Sequence, residues 1–123
     1  MGGAVRVVAL AETLARFDDA WSPRIVGELN GQHLKVAKFR GPFTWHRHAD
    51  EDEAFLVLRG SFRLELRDGT LDVGEGELAI VPRGVEHRPV ADEEAHVLLF
   101  EPASTRNTGD VTGPRTVERP EWV

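Results

Sequence analysis

The chain has 123 residues, of which 41% are hydrophobic, and this is enough to bury the core of one small domain. A formal net charge of −6 and singly scattered arginines argue against a nucleic-acid partner. The absence of cysteine excludes disulfides, a thiolate nucleophile and zinc sites of the cysteine type.

The first predicted element is a short amphipathic helix at residues 8–17, because apolar residues recur there on one helical stripe. After Pro23 the apolar residues alternate with a period of two, which indicates β-strands. Asn30-Gly31 is a preferred pair for a tight turn and predicts a hairpin between the strands on either side.

Further strands follow along the chain. They are predicted at residues 53–59, in a hairpin around Asp68-Gly69, and at residues 77–81 and 96–100. Short strands separated by turn residues are typical of a sandwich or barrel, so we predict one all-β domain, residues 1–123, with its core at about residues 24–101. Residues 102–123 are rich in Pro, Gly and Thr and predict an extended tail, docked or mobile.

Two motifs carry the side chains with chemical potential. They read G-x4-H-x-H-x4-E-x6-G, starting at Gly41, and G-x5-P-x-G-x2-H, starting at Gly76. Two histidines at i and i+2 project from the same face of a strand, and residues of neighbouring strands can complete a set of ligands. Neutral imidazoles with one carboxylate suit a divalent transition metal. The predicted metal ligands are His46, His48, Glu53 and His87.

Both motifs resemble those of the cupin superfamily, in which the matching three histidines and one glutamate hold a divalent metal inside a small β-barrel. The resemblance is close over residues 41–91 and implies a double-stranded β-helix, or jelly roll, with one metal ion per chain. Mn or Fe is expected, with Ni, Zn or Cu as alternatives. It also implies a homodimer. Two departures are a glycine-to-histidine gap of four residues, where five is more common, and Ala91 in place of a frequent asparagine.

Glu53 is preferred to the neighbouring acidic residues as the metal ligand, because it keeps the spacing to Gly60 and begins an apolar alternation. The other three acidic residues predict a solvated turn; they are Asp50, Glu51 and Asp52.

His96 is the candidate catalytic acid or base beside the metal. It shares its parity with Leu98 and Phe100 on a late strand, which in cupins often faces the metal cavity. A structural histidine is the competing interpretation, and Glu86 is a weaker candidate for the same role.

Four protein ligands on a six-coordinate ion leave two positions for water, substrate or dioxygen. We therefore expect a metal-dependent enzyme, an Fe or Mn dioxygenase acting on a small chelating molecule. The alternatives are a metal-dependent isomerase or lyase, which needs an acid or base in the cavity, and a non-catalytic metal- or ligand-binding module. A sugar-phosphate substrate is discounted, because most arginines point outward by parity. No signal or membrane segment is visible, so a cytoplasmic location without a membrane partner is expected.

Overall fold

The computed structural model describes residues 3–123 and confirms the predicted all-β architecture. A single short helix, α1, spans Leu10–Leu14 in these residues. The strands are β1 Arg24–Leu29, β2 Gln32–Pro42, β3 Glu53–Arg59, β4 Ser61–Leu66, β5 Gly69–Gly74, β6 Leu78–Val81, β7 His87–Pro102 and β8 Glu121–Trp122.

The long strand β7 organises the barrel. It pairs antiparallel with β2 along most of its length, and a register shift in β2 between Phe39 and Gly41 marks a bulge where the paired strands bend. The first half of β7 also pairs with β4, and its second half pairs with β3. β5 continues the sheet beyond β4, and β6 continues it beyond β3. β7 therefore contributes to both sides of the barrel.

Both predicted hairpins are confirmed. Asn30 and Gly31 have φ angles of 51° and 77°, as a tight turn between β1 and β2 requires. In the hairpin of β4 and β5, Phe62 and Leu64 are buried and Arg63 between them is more exposed. The period-two alternation in the sequence therefore indicates the inward face of this hairpin correctly.

The interior of the barrel is aromatic. The Trp21 ring stacks on the rings of Phe39 and Phe43, with centroid distances of 4.5 Å and 4.6 Å. Phe39 also meets Phe62 edge to face at 5.2 Å. Stacked and edge-to-face pairs of this kind add to the free energy of burial, and they make this part of the barrel a defined wall for the site above it.

The N-terminal helix is shorter than the predicted range of residues 8–17. Ala9, the residue before the helix, offers no side-chain hydrogen bond to the free backbone N–H groups of the first turn. No capping interaction therefore stabilises a start of α1 before Leu10. The predicted apolar stripe nevertheless packs, because Leu14 and Phe17 are buried against β1 and β2. No helix in residues 3–123 has the length and apolar character needed to cross a membrane.

The C-terminal tail is docked on the barrel. Residues 103–118, which we call the strap, form successive turns, and β8 then pairs parallel with β1. The strap is held internally by hydrogen bonds, among them Asn107 Nδ2 to the Arg115 carbonyl at 2.7 Å. Its own residues Thr105 and Thr108 are buried against the barrel. The strap is therefore an ordered part of the structure.

Candidate metal centre

The backbone places the predicted ligands side by side. His46 and His87 form an antiparallel bridge, in which His46 N donates to the His87 carbonyl at 3.1 Å and His87 N donates to the His46 carbonyl at 2.9 Å. His48 follows two residues after His46, and Glu53 is the first residue of β3. All four side chains are buried, and each offers one ligand atom within 4.8 Å of the others. The structure thus brings together all four residues that the motifs single out.

Hydrogen bonds orient two of the imidazoles for metal binding. His46 Nδ1 donates to the Thr44 carbonyl at 2.8 Å, and His87 Nδ1 donates to the Val85 carbonyl at 2.9 Å. Because a carbonyl oxygen only accepts, both Nδ1 atoms carry the proton and both Nε2 atoms keep a free lone pair. Nε2 of His48 and of His87 is buried without a hydrogen-bond partner. Such nitrogens are suited to a metal ion, so the residues present fit a divalent transition metal.

Burial and neighbouring charges set the protonation of the site. Burial, followed by the nearby His87, lowers the pKa of His46 to about 4. Burial alone would raise the pKa of Glu53, but the neighbouring side chains of Glu101, His48 and His87 hold that pKa well below its usual range. Glu53 Oε1 lies 3.2 Å from His48 Nε2 and 3.7 Å from His87 Nε2. At neutral pH the cluster therefore offers a carboxylate and a neutral His46 imidazole, the forms that bind metal.

The lowered pKa of His46 predicts an acid-sensitive metal-free protein. Between pH 6.5 and about 4 the unfolded state binds a proton at this residue that the folded state does not. The free energy of unfolding should therefore fall as the pH drops, by about 2 kcal/mol from pH 7 to pH 5 through His46 alone. Denaturant titrations at the two pH values check this, with His46→Gln as the comparison. A loss in His46→Gln as large as that in the wild type would contradict it.

A small cavity with mostly apolar walls lies directly beside His46 and Glu53. Its aromatic lining includes Trp21, Phe39 and Phe55, and it encloses about 30 Å³, which is room for one or two water-sized molecules. Trp21 has a φ of 61°, in a region that bulky residues rarely occupy, and its indole N–H donates to the Arg40 carbonyl at 2.8 Å. A strained aromatic residue in the cavity wall is consistent with a functional site.

The strap borders the cavity. Asn107 contributes to the cavity lining. Asp110 N donates to the Arg47 carbonyl at 3.0 Å, and Arg47 N donates to Asp110 Oδ1 at 3.0 Å, so the strap is fastened between His46 and His48. Gly109 has a φ of 56°, and a Cβ there would lie 2.1 Å from the Arg47 carbonyl oxygen. The close contact between the strap and the loop that carries His46 and His48 therefore depends on this glycine.

The acidic residues before Glu53 lie outside the cluster. Asp52 accepts a hydrogen bond from the backbone N–H of Arg83 at 2.9 Å, and a hydrogen bond from the Arg83 side chain helps to lower its pKa. Glu51 accepts one from the Ser104 hydroxyl at 2.9 Å. Gly84 N also donates to the His48 carbonyl at 2.7 Å, so these contacts join the loops of the two motifs. The acidic loop has a structural role, and Glu53 alone of this group faces the imidazoles.

His96 is not brought to the cluster. The inward residues of β7 include Val97, Leu99 and Glu101, and His96 lies on the other face, where its Nε2 is 2.9 Å from Glu94 Oε2. It does not line the cavity. The inward face of β7 is therefore the one that carries Val97 and Leu99, and the prediction that His96 faces the cavity is corrected. Glu86, the weaker candidate, is exposed and paired with Arg67.

The sequence motifs missed two charged residues beside the cluster. Glu101 lines the cavity and contacts Glu53, and Lys35 is buried behind it. The available signal was a charged residue within a predicted strand that is otherwise largely apolar, although the sequence alone does not show that its side chain points inward. Such a residue needs a partner in the interior.

A comparison with protein families agrees with this geometry. The model of the cupin domain family matches residues 33–101, more than half of the chain. The chain belongs to the cupin family. The matched stretch includes all four residues of the metal cluster, and the jelly-roll barrel is the fold that the resemblance implies.

Several solved structures are also similar to this one. A cupin-2 domain containing protein from Shewanella frigidimarina NCIMB 400 is 38% identical with a TM-score of 0.77, covering 78% of this chain and 94% of that chain. Protein NMB1881 from Neisseria meningitidis is 28% identical with a TM-score of 0.73, covering 80% and 100%. KdgF from a Halomonas species is 27% identical with a TM-score of 0.57, covering 65% and 78%.

A curated relative is also similar in sequence. The uncharacterized protein YdbB of Bacillus subtilis (strain 168) is 33% identical over 64 residues, which are 51% of this chain. The matched segment spans 57% of that protein, so a large part of the relative has no counterpart in the match.

Proposed function

We propose that this cupin is a metal-dependent oxidoreductase of the dioxygenase type, which binds Fe or Mn and acts on a small chelating metabolite. Its metal ligands are His46, His48, Glu53 and His87. The observation that carries the proposal is the small, mostly apolar cavity that His46 and Glu53 of this cluster help to line. A bound ion would supply a Lewis acid and a redox centre at this place.

The residues around the cluster form a small space with mostly apolar walls. Trp21, Phe39 and Phe55 form an apolar wall, and the innermost space of about 30 Å³ suits a molecule of the size of water or dioxygen. The apolar walls beside the metal cluster strengthen the electrostatic interactions there.

The second candidate function is a metal-dependent isomerase or lyase. The presence of Glu101 on the cavity wall favours it, because this reaction class needs a group in the cavity that moves a proton. Among the described residues, neither arginine nor lysine lines the cavity, which argues against a phosphorylated substrate. A non-catalytic binding role remains the third hypothesis.

Oxygen consumption separates these functions. The protein is loaded with Fe(II) or Mn(II) and mixed with small enols, diketones and thiols, with Glu53→Ala as the inactive comparison. Oxygen uptake that requires both the metal and Glu53 is the expected result. Turnover under anaerobic conditions would instead establish the isomerase or lyase, and tight binding of a compound without turnover would establish the binding module.

The homodimer implied by the resemblance stays a proposal. Leu78, Ile80 and Phe100 are exposed on the outward face of the sheet formed by β6, β3 and β7, and burial of this face in a dimer would remove apolar surface from water. The molar mass in solution, measured by light scattering, decides it.

A further inference from the structure

A buried lysine–glutamate pair lies behind the metal cluster. Lys35 of β2 and Glu101 of β7 are each 1% exposed, and Lys35 Nζ donates to Glu101 Oε1 at 2.9 Å. Both face the interior of the barrel, and neither belongs to the two sequence motifs. A lysine and a glutamate of this degree of burial are rare in proteins, so the pair requires an explanation.

Glu101 connects this pair to the metal cluster. Its side chain contacts that of Glu53, and both residues line the same cavity. Two carboxyl groups in contact must share a proton, and burial together with the neighbouring Glu53 holds the pKa of Glu101 well above its usual range, so Glu101 is the donor toward the Glu53 carboxylate. On its other side Glu53 faces the imidazoles, with Oε1 at 3.2 Å from His48 Nε2. The Glu53 carboxylate is therefore held between Glu101 and the histidines.

Stability of the fold does not account for the pair. Removing charged groups from water is costly, and apolar residues of similar volume in place of a buried charged pair are often neutral or stabilising. In metal sites, by contrast, the hydrogen-bond partners of a ligand fix its orientation, and their loss typically weakens metal binding about 10–100-fold.

We infer that Lys35 and Glu101 are positioning residues of the metal centre: Lys35 fixes Glu101, and Glu101 holds the Glu53 carboxylate toward the three imidazoles. This inference rests on the proposed metal site. Lys35 Nζ also donates to the Thr105 carbonyl at 3.4 Å, so the same ammonium group anchors the beginning of the strap. The Lys35 ammonium group therefore contacts both Glu101 and the strap.

Apolar replacement of the pair tests the inference. In the double variant Lys35→Met/Glu101→Leu no charge is left unpaired, and the barrel should remain folded. Glu101→Gln keeps a donor for Glu53 and serves as the rescue. Lys38→Met is the matched control, because Lys38 is also buried on β2 but lies on the opposite face, where it donates to the Phe17 carbonyl.

The measurements are the Kd for Co(II) and the visible absorption spectrum of the Co(II)-loaded protein, with thermal unfolding of the metal-free protein as the check on folding. We expect the double variant to bind Co(II) about 10–100-fold more weakly and with altered absorption bands. Glu101→Gln should remain within about threefold of the wild type, because the amide still donates to Glu53. Lys38→Met should change neither Kd nor spectrum.

Two results would overturn the inference, and each refutes a different part of the account. A wild-type protein that fails to bind Co(II) refutes the metal site and the inference with it. A wild type that binds, together with a folded double variant of equal Kd and unchanged spectrum, refutes the positioning role alone. If the double variant does not fold, Lys35→Met by itself supplies the same comparison.

Discussion

Replacement of His87 by alanine is expected to abolish tight metal binding and to leave the barrel folded. The change removes one of three imidazoles from the cluster, so affinity for Mn(II) or Co(II) should fall by more than about 100-fold, beyond the usual effect of losing a ligand's hydrogen-bond partner. The fold should persist, because the bridge between His46 and His87 is made by backbone atoms. Isothermal titration gives the affinity, and thermal unfolding of the metal-free variant gives its stability.

His96→Ala is the matched control for that experiment. It removes a histidine from the same strand, but His96 pairs with Glu94 outside the cavity. This variant should bind metal with the wild-type Kd. Equal metal affinity in His87→Ala and the wild type would contradict the assignment of the ligands, and a large loss in His96→Ala would contradict the corrected parity of β7.

Gly109→Ala is expected to lift the strap from the metal-binding loop. A Cβ at this position would lie 2.1 Å from the Arg47 carbonyl oxygen and 2.9 Å from the Arg47 carbonyl carbon, and neither backbone atom can rotate away. The left-handed φ of 56° adds about 1–2 kcal/mol for any residue with a Cβ. The variant should unfold at a lower temperature and release metal to a chelator at least about 10-fold faster, a change of about 1.4 kcal/mol in the barrier.

Gly113→Ala is the control within the strap. A Cβ at Gly113 meets no atom within 4 Å, so this variant should release metal at the wild-type rate. If Gly109→Ala also releases metal at the wild-type rate, the strap does not control access to the site.

Local patterns predicted much of this structure. The hairpin at Asn30-Gly31, the strand at residues 53–59 and the four-residue metal cluster each depend on neighbours in sequence or on a short motif. The turn residues determine the backbone, and the period of two determines the faces. Features of this kind can be predicted directly from a single sequence.

The parity of β7 could not be read in the same way. His96, Leu98 and Phe100 alternate with Val97 and Leu99, so the strand is apolar on both faces. Leu98 packs on the cluster beneath α1, and Leu99 packs in the barrel core. Since both faces are partly covered, hydrophobic alternation does not identify the interior, and the pairing with β2 and β3 decides it.

Long-range contacts account for the remaining differences. Lys35 and Glu101 are 66 residues apart in sequence and meet only through the pairing of β2 with β7. The first half of β7 carries the acidic run Asp92 to Glu94, which interrupts the apolar pattern of a strand. The strap has no periodicity, and its order comes from its own hydrogen bonds and from Asp110.

The most direct test of the metal centre is the metal content of the protein, purified without a metal-affinity column and determined by elemental analysis beside Glu53→Ala. We expect close to one Fe or Mn per wild-type chain and almost none in the variant, because Glu53 supplies the negative charge of the cluster. A wild-type protein without metal that also fails to take up added divalent ions would contradict the account.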